Sequence, residues 1–197
     1  MPGAKFTILE STCVPLPLEN IDTDQIIPAR YLSATSREGF GNNLFRDWRF
    51  RKSGEPDTDF ILNNPIYKGE ILVAGKNFGC GSSREHAVWA VYDFGFRAVV
   101  SSFFADIFRN NALNNGLLPV IIPEEYLQRI LTLVREAPET KMKIDLENQV
   151  LEVPSAAIIL DFEINPYKKE CLLKGLDDID YLLSMKDIIA QYERKKN

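Results

Sequence analysis

Cysteine is scarce in this chain of 197 residues: Cys13, Cys80 and Cys171 are its three, odd in number and far apart. That pattern excludes a disulfide framework and a CxxC metal knuckle, so any metal must be held mostly by something else. Histidine is scarcer, His86 being the only one. No apolar run approaches bilayer length, and Met1-Pro2-Gly3-Ala4-Lys5 has no signal-peptide core behind it. A cytoplasmic location without membrane association is the expectation. Positive charge does not cluster either: the net charge is −5, and the basic residues are scattered apart from Arg194-Lys195-Lys196. This argues against a nucleic-acid partner, and the terminal run reads as a solvated helix end. Internal repeats and low-complexity segments are absent.

What remains is a globular composition. Hydrophobic residues make up 45% of the chain, with 12 phenylalanines, enough for one sizeable core. Lys5 to Val14 reads as a strand with a turn near Glu10-Ser11, which Pro15-Leu16-Pro17 then breaks. Asn20 to Pro28 reads as a polar, acid-bearing turn followed by a short β-branched strand that proline terminates. On that extended segment Asp22 and Asp24 project the same way. From Arg30 to Phe60 the pattern is irregular, with glycines and asparagines punctuating Phe40, Phe45, Trp48 and Phe50. A long loop of this kind is a candidate lid, although its aromatics read first as anchors to their own domain.

Past residue 70, strand and helix alternate. Strands are expected at Ile71–Ala74, Phe96–Ser101 and Leu118–Ile122, and helices at Glu85–Asp93, Phe104–Asn114 and Pro123–Arg135. A hairpin follows at Lys143–Val153, then a strand at Ala156–Phe162 and a tail that is helical in pieces, with Gly175 as a cap between them. The fold class read from this order is α/β with a parallel component. One domain over 1–197, with a mobile loop at about 32–60 and a helical C-terminus, is the simplest organisation.

The chemistry gathers at Gly75-Lys76-Asn77-Phe78-Gly79-Cys80-Gly81-Ser82-Ser83-Arg84-Glu85-His86, a strand-to-helix loop. Three glycines permit positive φ and close backbone approach, and Ser82 or Ser83 stands where an N-cap hydroxyl belongs. Helix-start N–H groups and the Arg84 fork favour an anion there, a carboxylate or a phosphate. Other readings are weaker. Ser82 and His86 are four apart, but GxSxG is absent and no third group orients an imidazole. Gly79-x-Gly81 lacks the third glycine of a dinucleotide loop, and Gly75-Lys76 is not the Walker order. Cys80 beside glycines reads as a small packing residue rather than a reactive thiol.

Spacing stops short of a reaction, and a resemblance goes further. Gly81-Ser82-Ser83-Arg84-Glu85-His86-Ala87, Gly95-Phe96-Arg97-Ala98-Val99, Ser102-Phe103-Phe104-Ala105-Asp106-Ile107 and Asn114-Asn115-Gly116-Leu117-Leu118-Pro119 together resemble the swivelling domain of the aconitase superfamily. With Asn20 to Pro28 in front, the chain is similar to the small-subunit family of isopropylmalate isomerases, from about residue 5 to residue 190. The resemblance implies a swivelling β/β/α fold and a large-subunit partner whose three cysteines hold a [4Fe-4S] cluster, with no cofactor bound by this chain. It implies a hydro-lyase that isomerises 2-isopropylmalate, a small dicarboxylate, to 3-isopropylmalate in leucine biosynthesis. By the family pattern Ser82 is the base, and Ser83 and Arg84 bind substrate. Asp22, Thr23, Asp24, Gly79, Gly81 and His86 support the loop, the first three as a layer orienting Arg84 or the glycines.

Two departures narrow the resemblance. Aconitases proper carry a histidine-containing turn where Asp22-Thr23-Asp24-Gln25 stands, and an arginine for a third carboxylate that has no counterpart here. A substrate with two carboxylates and an apolar branch suits that difference. The segment Ser36 to Phe60, short in relatives acting on several small malates, favours the leucine-pathway enzyme, with Leu44, Phe45 or Trp48 closing over the isopropyl group. A citraconate or homoaconitate hydratase, or a carboxylate-binding module without catalysis, are the alternatives.

Overall fold

The computed structural model describes residues 4–32, 39–82 and 84–186. Ser83, Ser36 and the basic run at 194–196 therefore lie outside the described residues. The chain runs β1 (Ile8–Leu16), α1 (Thr23–Ile26), α2 (Arg46–Arg49), β2 (Ile71–Ala74), α3 (Glu85–Phe94), β3 (Ala98–Ser101) and α4 (Asp106–Asn114). It continues through β4 (Leu118–Ile121), α5 (Glu124–Glu136), β5 (Lys141–Asp145), β6 (Val150–Val153), β7 (Ile158–Asp161), α6 (Pro166–Lys174) and α7 (Asp178–Ser184). No helix among the described residues is long and apolar enough to cross a membrane.

One seven-stranded sheet carries everything, in the order β4-β3-β2-β1-β5-β6-β7. Strands β1 to β4 are parallel, and β5 to β7 join β1 by antiparallel pairing. The parallel half is covered on both faces, as crossover helices require. Ile71 and Val73 point to one side with Val100 and Val120, against Leu127, Ile130, Leu131 and Val134 of α5. Leu72 and Ala74 point to the other with Val99, against Ala87, Val88 and Val91 of α3 and Phe108 of α4. Side chains of this size contribute about 1.5–3 kcal/mol each when fully buried, so α5, with four of them, is held by packing.

The α/β class and most elements fall where the sequence places them, but the N-terminal segment differs in two ways. β1 neither turns at Glu10-Ser11 nor breaks at Pro15: it is one strand that changes partners. Ile8 to Thr12 pair antiparallel with β5, and Cys13 to Leu16 pair parallel with β2. Pro15 lacks an N–H, yet at its register only β2 flanks the strand through a named pairing, so the missing donor interrupts no second ladder. The stretch read as a β-branched strand is α1, a single helical turn. Asp22 caps it, accepting from the Gln25 N–H at 2.7 Å, while Gln25 Oε1 accepts from the Asp22 N–H at 2.9 Å. That reciprocal capping box outweighs the β propensity of Ile26-Ile27. Consequently Asp22 and Asp24 do not project alike from an extended chain: one caps the turn, and the other leaves it.

The irregular region is pinned by its aromatics. Phe45 is fully buried and stacks on Trp48 with ring centroids 5.4 Å apart, and Phe60 closes the group. Arg49 spans the loop, donating to the Gly41 and Leu44 carbonyls and to Asn63 Oδ1, and lies over the Phe94 ring. Gly41 N–H donates to Asp93 at 2.7 Å, fastening the same loop to α3. A Cβ at Gly41 would come within 2.4 Å of the Phe94 backbone nitrogen, so only glycine permits this approach.

Candidate functional site

The site lies beyond the carboxyl ends of the parallel strands, the usual place for ligands in open α/β sheets. Residues 75 to 82 leave β2 there, and Gly75 to Cys80 are fastened by backbone. Asn77 and Phe78 N–H groups donate to Phe103 O, just past β3, at 3.0 and 3.3 Å. Gly79 and Cys80 N–H groups both donate to Ile21 O, and Thr23 N–H donates to Cys80 O at 3.0 Å. The loop is therefore laced to the segment before α1 as if by a short parallel ladder, with Asp22 opposite Cys80. The Ser101 hydroxyl, at the buried end of β3, lies 2.9 Å from Gly75 O and 3.1 Å from Phe103 O and joins the two strand ends. Sequence reasoning passed over Ser101; the signal was a polar residue ending an otherwise apolar strand.

The glycines divide their work. Gly79 and Gly81 hold φ of +77° and +85°, the left-handed region that glycine enters without strain. Gly75 does not: a Cβ there would meet the Leu18 carbonyl oxygen at 2.4 Å, so its smallness serves close approach. The third positive-φ position in the loop is Asn77, with φ +63°, its side chain donating to Asn20 Oδ1 at 2.9 Å. A Cβ at Gly79 would come within 2.2 Å of the Phe108 ring, so α4 packs directly beneath the turn.

The N-cap of α3 is Arg84, which makes no side-chain cap bond, rather than Ser82 or Ser83 as the sequence suggests. The chain reaches α3 extended and the helix begins one residue later than a serine cap would allow. Ser82 is exposed, and its carbonyl accepts from Thr23 Oγ1 at 2.6 Å. Arg84, about one-fifth exposed, is paired through Nη1 with the Asp24 carboxylate. Asp22, Thr23 and Asp24 thus meet the loop at three successive points: Cys80, Ser82 and Arg84. His86 packs its ring on Trp89 and Phe40 at centroid distances of 4.6 and 5.6 Å. Through Phe40 the aromatic loop touches the first turn of α3. Leu44 and Phe45 do not reach the site, being wholly inside the core; closure over a ligand by those two side chains is corrected here, because the loop spends them on anchorage.

The arrangement suits a small anion: the exposed Ser82, the Arg84 guanidinium and the positive end of a ten-residue helix follow one another along the chain. It does not suit a resident metal. Among the described residues no group of three or more His, Cys, Asp or Glu is placed to hold one. Cys13 is buried in β1, which pushes its thiol up to about 12. Burial and then the Asp22 carboxylate raise Cys80, and burial raises Cys171, away from the thiolate form that metals bind.

A glycine loop and an arginine fork, presented at the carboxyl ends of a parallel α/β half, define an aconitase-type C-terminal domain, and the aconitase C-terminal domain family model matches residues 3–125. The chain is 58% identical over 190 residues to the 3-isopropylmalate dehydratase small subunit of Cytophaga hutchinsonii, spanning 96% of this chain and 94% of that one. It is 59% identical over 191 residues to the protein of the same name from Azobacteroides pseudotrichonymphae, spanning 96% and 97%. The crystal structure of the 3-isopropylmalate dehydratase from Methanocaldococcus jannaschii superposes with a TM-score of 0.66 at 28% identity, over 94% of this chain and 99% of that one. The chain belongs to the aconitase superfamily, in its family of 3-isopropylmalate dehydratase small subunits.

Proposed function

We propose that this chain is the small subunit of an isopropylmalate isomerase acting in leucine biosynthesis, active only with its large subunit. The observation that carries the reading is the lacing of Asp22-Thr23-Asp24 onto the glycine loop, which leaves Ser82 exposed beside a fixed Arg84. In the reaction, 2-isopropylmalate loses its hydroxyl and a proton from the adjoining carbon, and isopropylmaleate regains water in the opposite sense. Arg84 binds a substrate carboxylate through paired hydrogen bonds, with Asp24 holding the guanidinium from behind. Ser82 accepts the carbon-bound proton and returns one to the neighbouring carbon on rehydration. A hydroxyl is a weak acid, and the α3 N-terminus together with Arg84 stabilises the negative charge this role demands. Loss of the hydroxyl as water calls for a Lewis acid, which we place on a [4Fe-4S] cluster carried by the large subunit, since no group of His, Cys, Asp or Glu among the described residues of this chain is placed to hold one. Ser83 adds contacts to the substrate.

The test is to mix the chain with a cluster-bearing large subunit and follow isopropylmaleate by its absorbance. Activity is expected only in the mixture, with 2-isopropylmalate turned over faster than citramalate. An inactive mixture, or equal turnover of the two substrates, rejects the reading.

A further inference from the structure

Resting on that reading, we infer that Asn115, at the end of α4, is a positioning residue of the site: it fixes the first turn of α3 and holds the Glu85 carboxylate against α4, where it does not compete with the substrate for Arg84. Asn115 belongs to the Asn114-Asn115-Gly116 turn, which no step of the reaction uses. Its amide is engaged on both sides. Nδ2 donates to Glu85 Oε1 at 3.0 Å and to Asn111 O at 2.8 Å, while Oδ1 accepts from Trp89 Nε1 at 3.0 Å. An indole N–H only donates and a carboxylate only accepts, so these partners admit one orientation of the amide. Glu85 and Trp89 are four apart in α3 and share a face of that helix. One residue of α4 therefore grips both ends of the first turn of α3, which cannot slide or roll there without breaking a bond.

The same helix carries the other end of the loop. Gly79 lies directly on the ring of Phe108, a residue of α4. The loop thus comes in over Phe108 and goes out at Glu85 against Asn115, with Ser82 and Arg84 between two supports on one helix. Charge gives the second half of the argument. Glu85 is the acidic residue of the first turn of α3 and directly follows Arg84. A carboxylate of the chain suits a helix start as well as a substrate carboxylate does, and it suits a neighbouring guanidinium too. The hydrogen bond from Asn115 commits it elsewhere.

The experiment uses the full-length chain with its large subunit. Asn115→Leu keeps the size of the side chain and removes its amide. It is expected to raise KM for 2-isopropylmalate about tenfold, the weight of one hydrogen bond to a charged group, and to lower kcat about threefold. Adding Glu85→Gln removes the competing charge and is expected to return KM to within about twofold of wild type while kcat stays low. Damage to α4 alone would not be mended by a change on another helix. Glu85→Gln by itself, whose amide oxygen still accepts from Asn115, and Asn114→Leu, at the exposed neighbour, are expected to leave KM within about twofold. Circular dichroism reports folding, and Asn115→Ser, too short to reach both partners, replaces the leucine variant if that one does not fold. Independently of activity, the indole N–H resonances of the two tryptophans, Trp48 and Trp89, are followed in the chain. The Trp89 signal is expected to shift in the Asn115 variant and the Trp48 signal to stay. A folded Asn115 variant with wild-type KM overturns the inference, as does a double variant whose KM stays raised or an unmoved Trp89 signal. If Trp89 responds as expected but the unaltered mixture does not convert 2-isopropylmalate, the grip on α3 stands and the proposed activity fails.

Discussion

Two irregular stretches of this molecule, the glycine loop at 75–82 and the aromatic loop at 39–63, are fixed by opposite means. The glycine loop is held by main chain: Asn77, Phe78, Gly79 and Cys80 each donate an N–H to a neighbouring strand end or to Ile21, and two glycines take positive φ. Ser82 is left exposed, and Arg84 is committed only to Asp24. The aromatic loop is held by side chains: Phe45, Trp48, Phe60 and Arg49 are committed to packing and to bonds with carbonyls. Where backbone does the anchoring, side chains remain for chemistry; where side chains anchor, none of those remain.

That contrast can be broken from either side. The largest effect is expected at Ser82, where Ser82→Ala in the reconstituted enzyme should lower kcat about 10²–10⁴-fold while leaving the unfolding midpoint in urea unchanged. Phe45→Ala should do the reverse, costing about 3–5 kcal/mol of stability by urea denaturation and leaving the ratio of 2-isopropylmalate to citramalate turnover as it was. Gly79→Ala puts a methyl into the Phe108 ring at positive φ and should cost about 2–4 kcal/mol, combining the left-handed penalty with overpacking. Unlike Phe45→Ala, it should also depress kcat, because the backbone it displaces carries Ser82. Smallest is Asp24→Asn, which keeps size and removes the charge behind Arg84. Pairs this exposed are worth about 0.2–1 kcal/mol, so KM should rise roughly two- to fivefold with the fold intact. A KM that fell would mean that Asp24 competes with the substrate for the guanidinium rather than positioning it.

Much of this was legible in the chain itself. The βα alternation past residue 70 was readable because each strand is a short apolar run and each helix repeats its apolar face. Gly175 ends α6 at φ +69° as its position suggested. The residues that make the site were readable as a set, through loop chemistry and resemblance. Their arrangement was not. Asp24 finds Arg84 across 60 positions, and nothing local announces a bond of that span. Pro15 inside a strand defeats any rule based on one strand and its own residues, because its tolerance depends on which neighbour lies alongside. The α1 turn escapes for the opposite reason: its signal is local, Asp22 and Gln25 capping each other three positions apart, but Ile26-Ile27 read as strand. Leu44 and Phe45 were misplaced because apolar residues in an irregular segment look the same whether they line a pocket or plug a core.

The partner change along β1 also sets a schedule for synthesis. Thr12 lies against Lys141 and Ile8 against Asp145, so β1 leaves the ribosome and waits for a partner made more than a hundred residues later. At about 5–20 residues per second, this interval is on the order of ten seconds. During it, the edge of β1 that will receive β5 lacks that partner, and a chaperone is best placed to shield it there.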